Sequence, residues 1–333
     1  MIRPAVFTVC AALGAGVGIS AVAQIKSDID PYRRHGSTQV SEYRVGASIT
    51  ATQGAIRNVV AMVAVPLECD EQAVQVAAED VTSHCKEVQY RLLREGGARQ
   101  LLISIPYLPA GEEAHALITF EVRTSTILPP ADTSDLRIPV KPDRALKRYL
   151  GRSPYIETNH GKIKKVARAI FAELAPELPG QVAESPAGPM NDWQRVEAIY
   201  EYVLSHVEYV EGDDKGAVQT LQDGMGDCQN ISALFIAICR TNKIPARIVW
   251  VHEHSYAEFC LQDGEGRLHW FPVESAGTRA FGAMPLARTI LQKGDNFKVP
   301  ERRKALRYAS NLMVAEGLPG SGKPSVRYIQ DQL

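Results

Sequence analysis

Gly226-Asp227-Cys228-Gln229-Asn230-Ile231-Ser232-Ala233-Leu234-Phe235-Ile236-Ala237-Ile238 is the stretch on which the fold turns. The glycine marks a turn. After it, Ile231, Leu234, Phe235 and Ile238 recur at helical spacing and predict an amphipathic helix with one buried face. Cys228 then falls in the first helical turn, where the partial positive charge and free N–H groups of the helix start favour the thiolate. A free cysteine is usually a buried apolar filler, but the glycine before it and the helix start argue for a reactive one. Downstream stand His254-Ser255-Tyr256-Ala257-Glu258-Phe259 and Trp270-Phe271-Pro272-Val273-Glu274. Amide chemistry by a thiol needs a thiolate to attack the carbonyl, an imidazole to exchange the proton and a polar group to hold the imidazole ring. Cys228, His254 and Glu274 supply these in order. His252, two residues before His254, is a rival base on the same strand face, and Asp263 is a poorer orienter at a hairpin tip.

The segments around this stretch predict an α+β layer over 145–300. Ile163, Val166, Ala167, Ile170 and Phe171 make one helical stripe, and Trp193, Val196, Tyr200 and Val203 make a second after a loop rich in proline and glycine. The Cys228 helix is third. Strands follow over Ile248 to Val251, His254 to Leu261 and Leu268 to Val273, the last two joined by Asp263-Gly264-Glu265-Gly266 as a hairpin, with the cysteine helix packed on the sheet. Ahead of this layer, 38–128 has period-two patterning. Val88, Tyr90 and Leu92, then Leu101, Ile103 and Ile105, then Ile118, Phe120 and Val122 predict an all-β, sandwich-like domain. Proline-rich 129–144 predicts a linker, and 301–333 a charged helix near Glu301 to Glu316 with a flexible end. Gly317 to Lys323 matches the start of a phosphate-binding loop. Pro324 stands where Ser or Thr would hold magnesium, so it is a turn.

Among 333 residues, 37 Lys and Arg balance 38 Asp and Glu, for a net charge of −1, which leaves no basic stripe for nucleic acid. Arg3, the apolar run from Ala5 to Val22 and Ala21-Val22-Ala23 predict a signal peptide over 1–23, cut after Ala23, and hence a secreted or periplasmic protein. An uncleaved membrane anchor is the alternative. Five cysteines remain after the cut. Cys69 with Cys85 is a plausible disulfide, and Cys239 and Cys260 either pair or fill the core, which leaves Cys228 free.

Several short motifs carry a resemblance from about Ala145 to Gly277. Tyr209 follows a helix, Ala217-Val218-Gln219-Thr220-Leu221 precedes the glycine turn, and Gly226-Asp227-Cys228 follows. Then come Arg240-x-x-x-Ile244-Pro245-Ala246-Arg247, His254-x-Tyr256-x-Glu258 and Trp270-x-Pro272-Val273-Glu274. In that order the set resembles the transglutaminase-like superfamily, a papain-related fold that includes transglutaminases, bacterial peptidases and peptide N-glycanases. The resemblance implies a papain-like core with Cys228, His254 and Glu274 as catalytic triad, and a sandwich fused ahead of it as in secreted bacterial members. Gln222 stands where papain-like enzymes carry an oxyanion glutamine, and Tyr209 where other members place an aromatic donor. The chain departs from the family in having Glu274 for the usual aspartate, Tyr256 for the usual tryptophan, and a short link from Val251 to His254 without glycine or proline. The function expected is thioester-forming hydrolysis of protein or peptide amides, or Gln–Lys cross-linking, with no cofactor and no metal, and with envelope contact through the N-terminal domain. The alternatives are a non-catalytic binding module on the same scaffold, and a zinc site from His252, His254 and Cys228 or Cys260.

Overall fold

The computed structural model describes residues 30–93, 96–172 and 190–333. The expected signal peptide over 1–23 and most of the loop before Asp192 lie outside the described residues. The N-terminal region is built from β1 (Arg34–Thr50), β2 (Ile56–Val65), β3 (Gln72–Val81), β4 (Glu87–Leu92), β5 (Arg99–Leu108) and β6 (Glu113–Leu128). Alternation makes the fold. Val45, Ala47 and Ile49 of β1 and Ile118, Phe120 and Val122 of β6 point inward and meet Ala61, Val63, Ile103 and Ile105 of β2 and β5. Leu92, expected on the same buried face as Val88 and Tyr90, sits at the strand end and is exposed.

The second region contains a short α1 (Arg144–Lys147), α2 (Gly161–Ala172), α3 (Asp192–His206), the two-residue β7 (Glu208–Tyr209), α4 (Ala217–Asp223), β8 (Met225–Gly226) and α5 (Cys228–Thr241). After them come β9 (Ala246–Val251), β10 (His254–Gln262), β11 (Leu268–Glu274), β12 (Ala280–Phe281) and β13 (Ile290–Lys293). The last five form one antiparallel sheet in the order β12-β11-β10-β9-β13. Ala257, Phe259 and Leu261 of β10 face the helices, and Tyr256 and Glu258 face the sandwich. Helix α5 is buried all round from Asn230 to Arg240, so it is the centre of the layer and not the one-faced helix its spacing predicts. Its C-terminal end holds Arg240, fully buried, which donates to Ala246 O (2.9 Å), Gly151 O (2.9 Å), Ser153 Oγ (3.0 Å) and Asp295 Oδ2 (2.6 Å).

The predicted C-terminal helix is absent. Residues 301–311 are irregular, and β14 (Leu312–Gly317) and β15 (Ser325–Gln332) return to the N-terminal region. They complete its two sheets, β15-β1-β6-β3 and β14-β2-β5-β4. Met313, Ala315, Val326 and Tyr328 pack on the sandwich core with period two, which strands bury on one face and a helix cannot. Gly317 to Lys323 joins these two strands. The linker is docked: Leu136 is fully buried in the helical core, and Arg137 exchanges backbone hydrogen bonds with Gln262. Cys69 and Cys85 are free, because they flank β3, whose ten residues hold them roughly 30 Å apart. Cys239 and Cys260 are buried free thiols.

A buried ion cluster ties the two regions. Lys293 Nζ donates to Glu258 Oε1 at 2.9 Å and to Glu71 of the sandwich, while Arg247 Nε donates to Glu258 Oε2 at 2.7 Å. Burial opposes ionisation of Glu258, but Arg247 and Lys293 outweigh it and hold the carboxylate below its ordinary range. A cavity of about 280 Å³ lies beside this cluster. Its buried charges satisfy one another.

Candidate active site

Helix α4 ends at Gly224, whose φ of 66° is left-handed backbone that glycine adopts at little cost. The chain then passes through β8, which pairs in parallel with β7, so that Tyr209 lies opposite Gly226. Gly226 is required by close approach: a Cβ there would sit 2.7 Å from Cβ of Asn230. Asp227 caps α5, its carboxylate accepting from the Asn230 backbone N–H at 2.8 Å. Asn230 in turn accepts from the Lys215 N–H, binding the 213–215 segment to the first turn. Cys228 is the first residue of α5, half-buried, with helix-start amides beside it that lack intrahelical partners.

His254 opens β10 after a two-residue turn of His252 and Glu253, in which Glu253 takes φ 54°. A short link without glycine is thus closed by one residue in left-handed conformation. His254 Nε2 hydrogen-bonds Glu274 Oε2 at 2.7 Å, and the imidazole lies close enough to the Cys228 thiol for each to shift the ionisation of the other. Ser255 Oγ donates toward Cys228 Sγ at 3.7 Å. Glu274 is buried at the end of β11. Its Oε1 accepts the Ala276 N–H at 2.9 Å, and its carbonyl accepts the Tyr200 hydroxyl at 3.2 Å.

The electrostatics favour an ion pair. Burial pushes the Cys228 thiol up, but the hydrogen bond and charge of His254, with Ser255, bring it below its ordinary value. Burial lowers His254, and its hydrogen bonds to Cys228 and Glu274 and the Glu274 charge raise it to about 9. Both shifts favour the thiolate–imidazolium form of the pair over two neutral groups.

Cys228 and His254 line an open cleft of about 830 Å³. Trp250 and Tyr308 line it from the core and the 301–311 stretch, and Tyr43 and Gln330 reach it from β1 and β15, so the sandwich forms part of its wall. His252, the rival base, turns its Nδ1 to the Tyr43 hydroxyl at 3.3 Å. Asp263 accepts from Arg267 and lies 2.9 Å from His269, at the far end of β10 from His254. Tyr209 is half exposed; partial desolvation and then the charge of Cys228 raise its phenol. Neither Tyr209 nor Gln222 lines the cleft as Cys228 and His254 do. Gln222 is exposed near the end of α4, where Gly224 turns the chain before the cysteine. Sequence reasoning missed Ser255, which directly follows the histidine and donates toward the thiol, and gave no sign that Arg307 would line the cleft.

Residues 180–275 match the family model of the transglutaminase-like superfamily. No curated protein matches the sequence. Among solved structures, a putative cysteine protease from Cytophaga hutchinsonii shares the fold over 90% of this chain and 92% of its own, with TM-score 0.54 and 17% identity. A putative protease from Parabacteroides distasonis ATCC 8503 aligns with 72% of this chain and 68% of its own at 10% identity, but its TM-score of 0.25 carries no structural argument. The likeness to the Cytophaga protein is one of fold, and it spans the sandwich as well as the core. The match to the transglutaminase-like superfamily covers 180–275, the segment that carries Cys228, His254 and Glu274.

Proposed function

We propose that the protein is a cysteine-dependent acyl-transfer enzyme that hydrolyses amide or peptide bonds through a thioester on Cys228. The observation that carries this reading is that Cys228 and His254 stand together on an open cleft, with Glu274 hydrogen-bonded to the imidazole from behind. In this mechanism the Cys228 thiolate attacks the carbonyl carbon, and the oxygen takes the negative charge. The backbone N–H of Cys228 and the Tyr209 hydroxyl are the donors we assign to that oxygen. The C–N bond breaks as His254 gives its proton to the leaving amine, and the acyl group stays on sulfur. His254 then takes a proton from water, whose oxygen attacks the thioester and releases the acid and the thiolate. A lysine amine in place of water would give a cross-link, which product analysis distinguishes. Glu274 keeps the imidazole oriented throughout and stabilises its charged form whenever it holds the proton. We also place the mature protein outside the cytoplasm, with protein or peptide amides as substrates and the sandwich toward the cell envelope.

The test is the pH profile of Cys228 alkylation by iodoacetamide, read by peptide mass, in the wild type, His254→Ala and Glu274→Gln. A thiol of ordinary pKa is only about 0.3% ionised at pH 6. The wild-type residue should react at least tenfold faster than that fraction allows, and His254→Ala should return it to an ordinary titration. A profile that is ordinary and indifferent to both substitutions would sink the catalytic reading and leave a binding scaffold.

A further inference from the structure

Arg307 lies in the wall of the same cleft, and no step of the proposed reaction uses it. It belongs to the irregular 301–311 stretch that carries the chain out of the core toward β14, beyond the segment that matches the family. Its side chain is 9% exposed. The guanidinium lies 4.6 Å from the Tyr155 ring and 5.2 Å from the Trp250 ring. Nη1 donates to Asp214 Oδ1 at 3.2 Å, whereas Nη2 is buried with no hydrogen-bond partner among the described residues.

Buried guanidinium donors are almost always met, because leaving one unmet carries its desolvation cost. The structure's own answer to this one is incomplete. Asp214 contacts only one of the two terminal nitrogens, its side chain is 54% exposed, and its segment has no regular structure. A contact of that kind contributes little and exchanges readily. Tyr155, against which the guanidinium rests, holds φ 67°, a left-handed backbone that a non-glycine residue keeps only where its surroundings impose it. The charge is therefore held in place from one side while half of its hydrogen-bonding fork is unused. A planar fork with two parallel N–H donors matches a carboxylate.

We propose that Arg307 is the specificity-determining residue of the cleft and binds a carboxylate of the substrate, with Asp214 yielding to it. The inference rests on the reading of Cys228 as nucleophile, since it is the same cleft that receives the acyl donor. An acidic side chain and a free α-carboxylate offer the same chemistry, and matched peptides separate them. The probe is protection of Cys228 from iodoacetamide by N-acetylated hexapeptides in three forms: a central Glu with amidated C-terminus, a central Gln with amidated C-terminus, and a central Gln with free C-terminus. In the full-length wild type, one carboxylate-bearing form should half-protect at a concentration about tenfold or more below that of the neutral form, as expected for a charge-assisted hydrogen bond. That ratio should fall toward one in Arg307→Gln and be partly kept in Arg307→Lys. Equal protection by all three forms in the wild type, protection by none of them, or a ratio undiminished in Arg307→Gln would overturn the proposal. The wild-type comparison needs no variant, so a misfolded Arg307→Gln cannot mask the result. Protection also needs no turnover. An ordinary alkylation profile with the carboxylate preference intact would remove the catalytic reading alone, and a shifted profile without preference would remove the role of Arg307 alone.

Discussion

Glu274 is one methylene longer than the aspartate usual in this family, and the structure absorbs the difference locally. Its two carboxylate oxygens are divided between His254 Nε2 and the Ala276 N–H, and its own carbonyl is tied to Tyr200. Glu274→Gln keeps the shape and removes the charge, and its amide nitrogen cannot accept from the imidazole. We expect kcat/KM to fall by up to about 10⁴-fold, the drop found when a triad histidine loses its carboxylate partner. The descending limb of the pH profile, set by His254 near 9, should move down toward the ordinary histidine range in the same variant. A pH–rate series on both proteins checks both outcomes. The same group affects stability with a definite sign. Folding raises His254, so its contribution is full below about 6.5 and is lost as the pH rises through about 9.

Helix α5 is anchored differently at its two ends, and the two anchors should differ in magnitude. At the start, Asp227 caps one backbone N–H, so Asp227→Ala should cost about 1 kcal/mol. At the far end, Arg240 is fully buried and depends on Asp295, the only carboxylate that contacts its guanidinium among the described residues. Asp295→Ala would leave that charge uncompensated and should cost about 3–5 kcal/mol. Urea denaturation of the two variants beside the wild type reads the difference, and equal costs would contradict the account of the C-terminal anchor. The apolar spacing of 231–238 makes the helix legible in the sequence, yet small residues such as Ser232, Ala233 and Ala237 hide that its opposite side is buried too. Arg240 looks like a surface residue at a helix end until Asp295 and the 151–153 backbone are brought to it.

At the scale of the molecule, the chain closes on itself. Strands β14 and β15 are edge strands of the two sandwich sheets, and Gln330 of β15 also stands on the cleft wall. Truncation after Ser310 should therefore do more than shorten a tail. It would uncover the pairing edges of β1 and β2 together with the apolar surface beneath Met313, Val326 and Tyr328. We expect the shortened protein to aggregate or to unfold at least several degrees lower, measured by size-exclusion chromatography and thermal melting. A monomer with the full-length melting temperature would show that the sandwich closes without these strands.

What the sequence determined by itself lies in local pattern: the period-two strands of 38–128, the helical stripes of α2, α3 and α5, and the order Cys228, His254, Glu274 on separate elements. Such features depend on neighbours a few residues apart, so spacing alone reveals them. The tertiary structure decided the rest. It turned 312–332 into strands that finish a domain begun almost 280 residues earlier, placed Arg307 in the cleft, and joined Lys293 to Glu71 and Arg240 to Asp295. Each of these is a pairing between distant segments, and no periodicity along a chain encodes which distant partner will complete a sheet edge or neutralise a buried charge.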